Sequence, residues 1–426
     1  MERPLTEHIK KDGTVLSLKE YEAAGGYQGL RNALKMSPAD VMQAVKDSKL
    51  RGRGGAGFPT GTKWSFVPMG PDTPTPKYIV ANGDEMEPGT FKDRLLIEGN
   101  PHQLIEGMII SAYAIGASMS YIFLRWAYHE AAKRVLVALD EAYKAGYLGE
   151  NILGTSFSLD MDLHTSVGRY ICGEETALLN ALEGKRANPR NKPPFPQVSG
   201  LFGKPTIVNN VETFCNIPHI LAKGAQWYIS LSKSEGGGGT KLYGASGRVK
   251  NPAIWELPLG TTLREIIEEH AGGMLDGYKL RGVLPGGAST DFLTPDHMDV
   301  KMDFEEVPKA GSRLGTGTVI ILDDKTCPVG MCLTLENFFA QESCGWCTPC
   351  REGLPWTAKI LAAMEEGNGK PEDIDHLTFQ THYNAPGNTF CALAPGAMEP
   401  LQSALKYFRE EFDEHINTHQ CKYHHH

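Results

Sequence analysis

The sequence predicts an α/β layer structure on its N-terminal side, a small α+β module in the middle and an all-α helical bundle on its C-terminal side. Helical and strand patterns alternate up to about residue 225, four glycines follow at 236–239, and only helical patterns follow residue 331. Alternation is typical of α/β layers, and glycine runs are typical of domain boundaries. We therefore place domains at 1–236, 240–325 and 326–420, and set 421–426 aside as a tag or tail.

The first domain is predicted to alternate between strands and helices. Ser37-Pro38 has the sequence of a helix start, and Asn100-Pro101 likewise pairs an N-cap residue with a first-turn proline. Alternating apolar residues from Phe157 to Leu163 indicate a half-buried strand. In order we expect a helix from 38, a strand at 77–81, a helix at 101–115, a strand at 121–125, a helix at 130–145, a strand at 157–163, and short helices after Glu174 and Asn210.

The rest of the chain is predicted to form a small mixed module and then helices only. Short strands are expected near 241–249, 279–284 and 318–322, around one helix that begins with a capping box at Thr262–Glu265. The C-terminal bundle is expected to contain helices around 333–340, 354–366, 371–379 and 397–412.

The composition restricts the kinds of partner. The net charge of −9 argues against nucleic acid or an anionic membrane surface, since both need a basic face. Nine unevenly spaced cysteines do not resemble a secreted disulfide framework, and the first residues lack a secretory apolar stretch, so we expect a reducing cytoplasm. The apolar run 104–124 contains Glu106, Gly107 and Gly116, so a buried helix followed by a strand is preferred to a membrane span.

Three cysteines with two residues between successive members indicate an iron–sulfur cluster. On a loop, this spacing brings three sulfurs to one face of a cuboidal cluster. A zinc site is the alternative, but zinc sites more often use two separated CxxC pairs or a CxxC with histidines. We expect a [4Fe–4S] cluster bound by Cys344, Cys347, Cys350 and, as the distant fourth ligand, Cys391. The other thiols are interpreted as buried or incidental, namely Cys172, Cys215, Cys327, Cys332 and Cys421.

A glycine-rich loop matches the GxGxxG spacing at Gly52, Gly54 and Gly57. The match alone is weak, because Pro59 and Gly61 oppose a helix directly after it, and a dinucleotide-binding loop needs a strand before and a helix after. Glycines nevertheless let backbone amides approach a phosphate or a ring closely. A flexible surface turn is the alternative, but the loop also carries three basic side chains, Arg51, Arg53 and Lys63.

Three polar runs in the same domain are candidate ligand contacts. The run 82–94 follows a predicted strand, and α/β sheets bind ligands at the carboxyl ends of strands. The runs 170–176 and 205–213 open predicted helices, where acidic residues also suit the helix dipole. Each run alone is also typical of an exposed loop or a helix start. Together they indicate a polar surface that binds a cofactor.

Five strings together resemble the NADH-binding flavoprotein subunit of respiratory complex I. They are RGRGGAGFPTGTKW, NGDEMEPGTFKDR, VGRYICGEETALL, GKPTIVNNVET and ESCGWCTPCREG. The resemblance extends from Arg51 to about Ala394. It implies an FMN-binding α/β domain, a ubiquitin-like (β-grasp) middle module and a helical bundle that carries the [4Fe–4S] cluster.

The resemblance implies site residues at the matching positions. The implied FMN contacts are Gly52, Lys63, Asn82, Asp84, Gly173, Glu174, Asn209, Asn210 and Thr213. The implied NADH contacts are Gly54, Gly55, Phe58, Lys63, Phe66, Glu85, Glu87, Glu175, Lys192 and Phe195. Stacking of adenine on the phenylalanines would be worth about 1–3 kcal/mol per base. The implied catalytic positions are Glu85 and Glu175, with Glu175 positioning the nicotinamide amide or ribose. Met86 and Arg169 stand where family members commonly have small residues.

The resemblance also implies a mechanism and partners. NADH would pass a hydride to FMN, and electrons would then leave singly through the cluster. The implied partners are a small [2Fe–2S] thioredoxin-like subunit and a large multi-cluster subunit, on the cytoplasmic side of the inner membrane. The chain itself is expected to insert no segment into the membrane and to bind no nucleic acid.

Two alternative functions remain open at this point. The diaphorase subunit of an NAD-reducing hydrogenase or an NAD-linked formate dehydrogenase shares the chemistry. Such subunits often carry added thioredoxin-like or ferredoxin-like segments, for which only residues 1–50 and 412–426 are available. A non-enzymatic zinc or iron–sulfur adaptor would lack flavin.

Overall fold

The computed structural model describes residues 2–423, which form two compact units. The first unit consists of the residues up to Met86, Phe91–Leu242 and Glu256–Gly260. The second consists of Glu87–Thr90, Tyr243–Trp255 and the residues from Thr261 onward. Within residues 2–423, we find no helix with the length and apolar character needed to cross a bilayer.

The first unit is an α/β layer structure. Its strands are β1 (Tyr78–Gly83), β2 (Met119–Leu124), β3 (Asp160–Thr165) and β4 (Thr206–Asn210). Its helices are α1 (Leu18–Ala23), α2 (Gln28–Ala33), α3 (Pro38–Asp47), α4 (Thr60–Trp64), α5 (Lys92–Gly99), α6 (Pro101–Ile115), α7 (His129–Lys144), α8 (Glu175–Leu182), α9 (Val211–Lys223) and α10 (Ala225–Ser230). Short 3₁₀ turns lie at Ile152–Gly154, Tyr170–Gly173 and Leu201–Gly203.

The four strands are parallel and pair in the order β3-β2-β1-β4. β1 is buried along nearly its whole length, as expected for a strand in a parallel sheet that helices cover. Three of these strands were predicted, although β3 begins at Asp160, later than expected, because Leu159 instead bridges to Gly149. β4 was missed, since its five residues end in two asparagines that resemble the cap of the next helix.

Helix α6 begins and ends at the predicted residues. The side chain of Asn100 accepts a hydrogen bond from the backbone N–H of Gln103, and Gly116 ends the helix with a φ of +68°. Only glycine adopts this left-handed conformation without strain, so the stop is readable from sequence. Strand β2 follows, so the apolar run 104–124 is a buried helix and a strand, as predicted.

Glu106 is a buried carboxylate within this apolar helix. It accepts hydrogen bonds from the Tyr21 hydroxyl at 2.6 Å, from Tyr27 N at 2.7 Å and from Leu30 N at 2.9 Å. Tyr27 is the residue before α2, so one carboxylate satisfies two of the N–H groups that the start of that helix leaves unpaired. Burial raises the pKa of Glu106, and these hydrogen bonds act against that rise.

The second four-stranded sheet has the order β6-β5-β8-β7. Its strands are β5 (Thr240–Ser246), β6 (Ala253–Pro258), β7 (Leu280–Leu284) and β8 (Thr318–Asp323), and a short helix, α11 (Glu306–Lys309), precedes β8. β5 and β8 are parallel, whereas β7 and β8 are antiparallel. Three of these strands and the capping box were predicted: Glu265 Oε2 accepts from Thr262 N at 2.8 Å, and a helical turn follows at Glu265–His270. β6 was missed.

The C-terminal part of the chain is helical, as predicted. Its helices are α12 (Pro328–Glu342), α13 (Thr348–Glu365), α14 (Glu372–Tyr383), α15 (Leu393–Tyr407) and α16 (Arg409–Thr418). The single helix expected at 397–412 is wrong, since α15 and α16 are separated by Phe408, which has a φ of −128°. The Phe408 ring packs edge-on against Phe292, with 5.3 Å between ring centroids.

The glycine run is a tightly packed segment rather than a flexible linker. Gly237, Gly238 and Gly239 are buried. A Cβ at Gly238 would lie 2.2 Å from the carbonyl oxygen of Ser48, and one at Gly239 would lie 2.0 Å from the Tyr228 ring. Composition alone does not separate glycines that give flexibility from glycines that permit close approach.

Replacing Glu106 with alanine is expected to lower the free energy of unfolding by about 3 kcal/mol, because three buried donors lose their acceptor. Urea unfolding followed by circular dichroism measures this change. Glu130→Ala is the control, since Glu130 forms an exposed ion pair with Arg134. Such pairs are worth at most about 1 kcal/mol. An equally small effect in both variants would show that Glu106 is not a structural acceptor.

Candidate active site and metal centre

The order of the first sheet reverses between β1 and β4. The chain passes from β1 to β2 and β3 on one side, and then places β4 on the other side of β1. Because the four strands are parallel, their carboxyl ends lie along one edge, and open α/β sheets bind ligands at that edge where the order reverses. Asn82, near the end of β1, is paired with Asn210, the last residue of β4. We call this place the switch point.

The glycine-rich loop approaches the switch point through its backbone. Arg53 N donates a hydrogen bond to Thr213 Oγ1 at 2.9 Å. A Cβ added to Gly54 would lie 3.0 Å from the Cβ of Asn210, and Gly55 has a φ of +132°. A side chain at position 54 would therefore press on Asn210. The glycines provide the close approach that the sequence predicted.

The side chains of Arg51 and Arg53, the two arginines of this loop, hydrogen-bond to backbone carbonyl groups of the protein. The buried Arg53 guanidinium donates to the carbonyl oxygens of Gly238 at 2.8 Å and Thr240 at 3.0 Å. Arg51 Nε donates to the carbonyl oxygen of Gly57 at 2.6 Å. Both side chains therefore stabilise the loop and the glycine run beside it.

The expectation that Pro59 opposes a helix is wrong. Helix α4 begins at Thr60, with Pro59 at its N-cap position. Proline is tolerated there because the first N–H groups of a helix have no partner within the helix. The loop still differs from a dinucleotide-binding fingerprint, because helix α3 and not a strand precedes it in the described residues. Its β-structure is limited to one isolated β-bridge between Arg51 and Pro59.

Polar side chains connect the strand ends to one another. Asn82 Nδ2 donates to the carbonyl oxygen of Gly173 at 2.9 Å, and Asn82 Oδ1 accepts from Asp84 N at 3.2 Å. The Asp84 carboxylate accepts from the Ser166 hydroxyl at 2.7 Å, and Ser166 directly follows β3. The polar runs after β1 and before α8 therefore meet at the same edge of the sheet.

The adjacent glutamates at the start of α8 are placed differently. Glu174 is the N-cap residue, and its Oε2 accepts from Thr176 N at 2.9 Å and Ala177 N at 2.8 Å. This is the helix-start role that the sequence kept as an alternative. Glu175 is the first residue of the helix, and its carboxylate points to two lysines instead.

Lys63, Glu175 and Lys192 form a partly exposed ion-pair trio. Glu175 Oε2 lies 3.0 Å from Lys63 Nζ, and Glu175 Oε1 lies 2.7 Å from Lys192 Nζ. Lys63 also donates to the carbonyl oxygen of Val208 in β4 at 2.7 Å. Burial acts to raise the pKa of Glu175, but the charges of Lys63 and Lys192 outweigh it and hold that pKa below its ordinary value.

Glu85 is buried and contacts the start of α5. Its carboxylate accepts from Asp93 N at 2.9 Å, from Arg94 N at 3.2 Å and from the Tyr128 hydroxyl at 2.9 Å. Burial, with a contribution from the charge of Asp93, raises the pKa of Glu85 to about 7. Glu85 therefore holds the start of α5, in addition to the nucleotide contact that the resemblance implies for it.

A buried network of charges holds Asn210. Lys92 Nζ lies 2.8 Å from Asp93, 2.8 Å from Glu212 and 3.3 Å from Asn210 Oδ1. Asn210 Nδ2 donates to the second oxygen of Asp93 at 2.6 Å, so both ends of this amide are engaged. Lys241 lies 3.6 Å from Glu212, and burial lowers the pKa of Lys241 to about 7 although Glu212 acts against that shift.

Three aromatic residues implied to stack on the nucleotide are exposed. Phe58, Phe66 and Phe195 are 48%, 52% and 52% exposed, respectively. The rings of Phe58 and Phe66 are neighbours, with 6.2 Å between their centroids. Their exposure sets them apart from ordinary core aromatics and leaves ring faces available for stacking.

The remaining implied residues divide between the two units. The Asn209 amide lies 3.1 Å from the indole nitrogen of Trp64, in the first unit. Glu87 belongs to the second unit, where its carboxylate accepts from Ser289 N at 2.7 Å. Of the two departures from the family pattern, Met86 is half-buried and Arg169 is exposed.

The helical bundle brings the four predicted cluster cysteines together. Cys347 is the N-cap residue of α13, Cys350 lies in its first turn, and Cys391 comes shortly before α15. Burial raises the pKa of the Cys350 thiol to about 12, and Cys347, Cys391 and Cys344 act in the same direction. The rings of Trp346 and Phe390, which adjoin Cys347 and Cys391 in sequence, lie 6.1 Å apart between centroids, so the two segments that carry these cysteines are close in the fold. Four thiols of this kind are the donor set of a [4Fe–4S] cluster.

Sequence reasoning missed the side chains that hold these site residues in place. The side chains of Lys92, Tyr128 and Ser166 contact predicted site residues, and the Glu212 carboxylate pairs with Lys92, but none of the four was singled out. Lys92 and Glu212 lie within two of the strings that carry the resemblance, which was the available signal. Charged residues are rarely fully buried, so nothing in the residue types alone indicated an internal network.

Models of three known domains match the chain. The Nuo51 FMN-binding domain matches residues 45–219, the SLBB domain matches residues 245–293, and the NADH-ubiquinone oxidoreductase-F iron-sulfur binding region matches residues 330–415. The first match contains the switch point, and the third contains the four cysteines predicted to bind the cluster. FMN and a [4Fe–4S] cluster are therefore the cofactors of this chain.

Whole-chain comparisons agree with these matches. The chain is 57% identical over 422 residues to the F subunit of NADH-quinone oxidoreductase of Salmonella typhimurium and to that of Escherichia coli, covering 98% of this chain and 94% of each relative. A crystal structure of an NAD+-reducing [NiFe]-hydrogenase matches with a TM-score of 0.83 at 32% identity, over 95% of this chain and 67% of that chain. The chain belongs to the family of NADH-quinone oxidoreductase F subunits.

Proposed function

We propose that NADH is oxidised at the switch point of the first unit, by hydride transfer to FMN. The observation that carries this proposal is the convergence of the glycine loop, the end of β1, the turn at Tyr170–Gly173 and Asn210 at the place where the strand order reverses. As a member of its family, the chain is an oxidoreductase that passes electrons singly to its [4Fe–4S] cluster and onward through partner subunits to quinone.

The groups at the switch point suit a flavin mononucleotide. A Cβ at Gly173 would meet nothing nearer than the carbonyl oxygen of Asp84, at 3.8 Å, so the glycine leaves an open surface there. Amides and a hydroxyl can pair with ring carbonyls and ring nitrogens, and glycine N–H groups with phosphate. When bound, FMN accepts the hydride and releases its electrons singly. We assign its contacts to Gly52, Lys63, Asn82, Asp84, Gly173, Glu174, Asn209, Asn210 and Thr213.

NADH is proposed to bind beside this surface. The rings of Phe58, Phe66 and Phe195 are exposed, which supports them as surfaces for stacking. The two lysines of the ion-pair trio carry the positive charge that anionic oxygens of the nucleotide need. Glu175 positions the nicotinamide amide or ribose and fixes both lysines. We assign further contacts to Gly54, Gly55, Glu85 and Glu87, with Glu85 and Glu175 as the catalytic positions.

The three-domain division, with 1–236 for flavin and nucleotide, 240–325 for the middle module and 326–420 for the cluster, remains a proposal. A β-grasp middle module is supported by the mixed sheet, in which the first and last strands, β5 and β8, pair in parallel at its centre. The chain is one subunit of a larger complex. We propose a small [2Fe–2S] subunit and a large multi-cluster subunit as its partners, on the cytoplasmic side of the membrane.

A diaphorase role in an NAD-reducing hydrogenase is the second candidate function. The structural match to such an enzyme favours it, but at 32% identity, against 57% for the NADH-quinone oxidoreductase relatives. Affinity purification of the native complex separates the two. Co-purifying quinone-reductase activity supports the first function, and co-purifying nickel with hydrogenase activity supports the second.

Glu175→Gln is expected to raise the KM for NADH about tenfold, because the neutral amide loses charge-assisted hydrogen bonds to Lys63 and Lys192. Steady-state oxidation of NADH with ferricyanide as acceptor measures this. Glu183→Gln, at the other end of α8, is the control and should keep the original KM. Unchanged KM and kcat in Glu175→Gln, with normal flavin content, would remove Glu175 from the site.

Cys391→Ser is expected to remove most of the cluster iron while the flavin content is retained, because the cluster loses one of its four thiolates. Iron and sulfide assays, together with electron paramagnetic resonance of the reduced protein, measure this loss. Cys332→Ser is the matched control, since Cys332 is a buried thiol of α12 that was assigned no ligand role. A full iron content in the Cys391 variant would assign the fourth ligand elsewhere.

Glu85→Gln tests the raised pKa of that carboxyl group, which is about 7 against an ordinary 4.5. Between about pH 4.5 and pH 7 the folded chain keeps a proton on Glu85 that the unfolded chain releases. The contribution of this proton to the free energy of unfolding is complete below about pH 4.5 and is lost as the pH rises through about 7. A glutamine does not titrate. The stability of the variant relative to the unaltered chain should therefore improve between about pH 5 and pH 8.

Thermal unfolding at these two pH values measures that difference. Glu183→Gln is the control: burial acts to raise the pKa of Glu183, but its bonds to Lys185 and Arg190 hold that pKa below its ordinary value. Its relative stability should be flat over the same range. A flat profile for Glu85→Gln would mean that Glu85 is ionised throughout.

A further inference from the structure

A second group of metal-ligating side chains lies in the helical bundle, and it shares no residue with the four cluster cysteines. Its members are Cys327, Glu365, His415 and Cys421, and one ligand atom from each lies within 4.8 Å of all the others. Both cysteines were expected to be buried or incidental thiols with no ligand role, and Cys421 was set aside with the tail. Residues 424–426 of that tail lie outside the described residues.

The four residues lie at or near the ends of three helices, α12, α13 and α16. Cys327 is the N-cap residue of α12, Glu365 is the last residue of α13, His415 lies in the last turns of α16, and Cys421 follows α16. Their spacing in sequence has no recognisable metal motif, which is why the pattern of residues gave no signal. Only the folded bundle brings them together.

The distances among Cys327, Glu365 and His415 are close to those of a tetrahedral zinc site, and the Cys421 sulfur lies within 4.8 Å of the other three ligand atoms. Zinc binds sulfur at about 2.3 Å and nitrogen or oxygen at about 2.0–2.2 Å, so neighbouring ligand atoms lie roughly 3.4–3.8 Å apart. Cys327 Sγ lies 3.5 Å from His415 Nε2, and His415 Nε2 lies 3.3 Å from Glu365 Oε1. Cys327 Sγ and Glu365 Oε1 are 3.0 Å apart, so the carboxylate would shift by about half an ångström.

The surrounding groups orient these ligands. His415 Nδ1 lies 2.7 Å from the carbonyl oxygen of Glu411, so it is the protonated nitrogen, and Nε2 is directed at the other three residues. Gly330 N donates to Cys327 Sγ at 3.3 Å, which suits a thiolate. His415, Cys327 and Cys421 are only 1%, 7% and 6% exposed, respectively.

We propose that Cys327, Glu365, His415 and Cys421 form a structural Zn²⁺ site. Two sulfurs, one nitrogen and one oxygen in a tetrahedral arrangement fit zinc, whereas calcium and magnesium prefer oxygen ligands alone. Four protein ligands leave no open position for substrate, so the ion stabilises structure and takes no part in oxidising NADH. This proposal is independent of the flavin and of the four cluster cysteines.

The ion would fasten the end of the chain to the bundle. Independent contacts already place the segment after α16 against the end of α13. A Cβ at Gly367 would lie 2.2 Å from the carbonyl oxygen of His419, and His419 Nδ1 lies 3.1 Å from the carbonyl oxygen of Gly367. Zinc bound to both Glu365 and Cys421 would link the end of α13 to the segment after α16. Removal of zinc should loosen α16 and leave the first unit unaffected.

Zinc analysis of the purified holoprotein tests the proposal. We expect about one zinc per chain, with X-ray absorption showing two sulfurs near 2.3 Å and two nitrogen or oxygen atoms near 2.0–2.2 Å. The sulfur count identifies the source, since zinc on terminal histidines shows no sulfur and zinc in the cluster site shows more than two. A variant with alanine at 424–426 should keep its zinc.

Substitution of single ligands provides the second test. Cys421→Ser and His415→Gln should each lower the zinc content about tenfold or more, with iron and flavin unchanged as evidence of folding. Cys332→Ser is the matched control and should keep its zinc. Zinc well below one per chain in protein from cells supplied with zinc would overturn the proposal. So would a zinc content that neither substitution lowers, or a Cys327–Cys421 disulfide found by peptide mapping.

Chelation of the unaltered protein gives a readout that does not depend on variants. Removing zinc should lower the thermal midpoint and increase amide hydrogen exchange in α16, while the flavin and iron contents stay the same. Unchanged exchange in α16 after complete loss of zinc would overturn the structural role.

Discussion

Parallel pairing of β1 with β4, after the chain has already built β2 and β3 on the other side, is the constraint on which the candidate active site depends. Because the strand order reverses between β1 and β4, the connections that leave these two strands diverge. Asn82 and Asn210, at the ends of the two strands, lie side by side. Gly54 of the glycine-rich loop can then approach Asn210 closely, because it has no side chain. The position of the site follows from topology, and its chemistry follows from which side chains the loops supply.

Two kinds of ion pair serve this site. The network of Lys92, Asp93 and Glu212 is buried, where losing one partner would leave a charge uncompensated, so it holds Asn210 rigidly. The trio around Glu175 is partly exposed, and its pairs are correspondingly weaker. Pairs of this partly exposed kind can rearrange at a smaller cost in free energy than buried pairs. A buried network that fixes its neighbours, together with exposed side chains that can rearrange, is the arrangement expected of a site that orients two cofactors.

Local signals allowed much of the fold to be predicted, and long-range contacts account for what was missed. The cap and stop of α6 and the CxxCxxC spacing depend on neighbouring residues, so they are readable. The glycine run has the composition of a linker, yet Ser48 and Tyr228 pack against it. Arg53 is charged, and charged residues are rarely fully buried, yet its guanidinium is buried against the carbonyl oxygen of Gly238. The grouping of Cys327 with Cys421 depends on how α16 packs, which no local pattern records.

Direct reduction of a bound flavin by NADH is the reaction that the switch point is proposed to perform. An anaerobic titration of the purified chain with NADH, followed by flavin absorption, measures this reaction. We expect about one FMN per chain, released on denaturation, and bleaching of its absorption by about one equivalent of NADH before the cluster signals change further. A chain that folds and binds its iron but contains no flavin, or whose flavin NADH does not bleach, would show that NADH is not oxidised at the switch point.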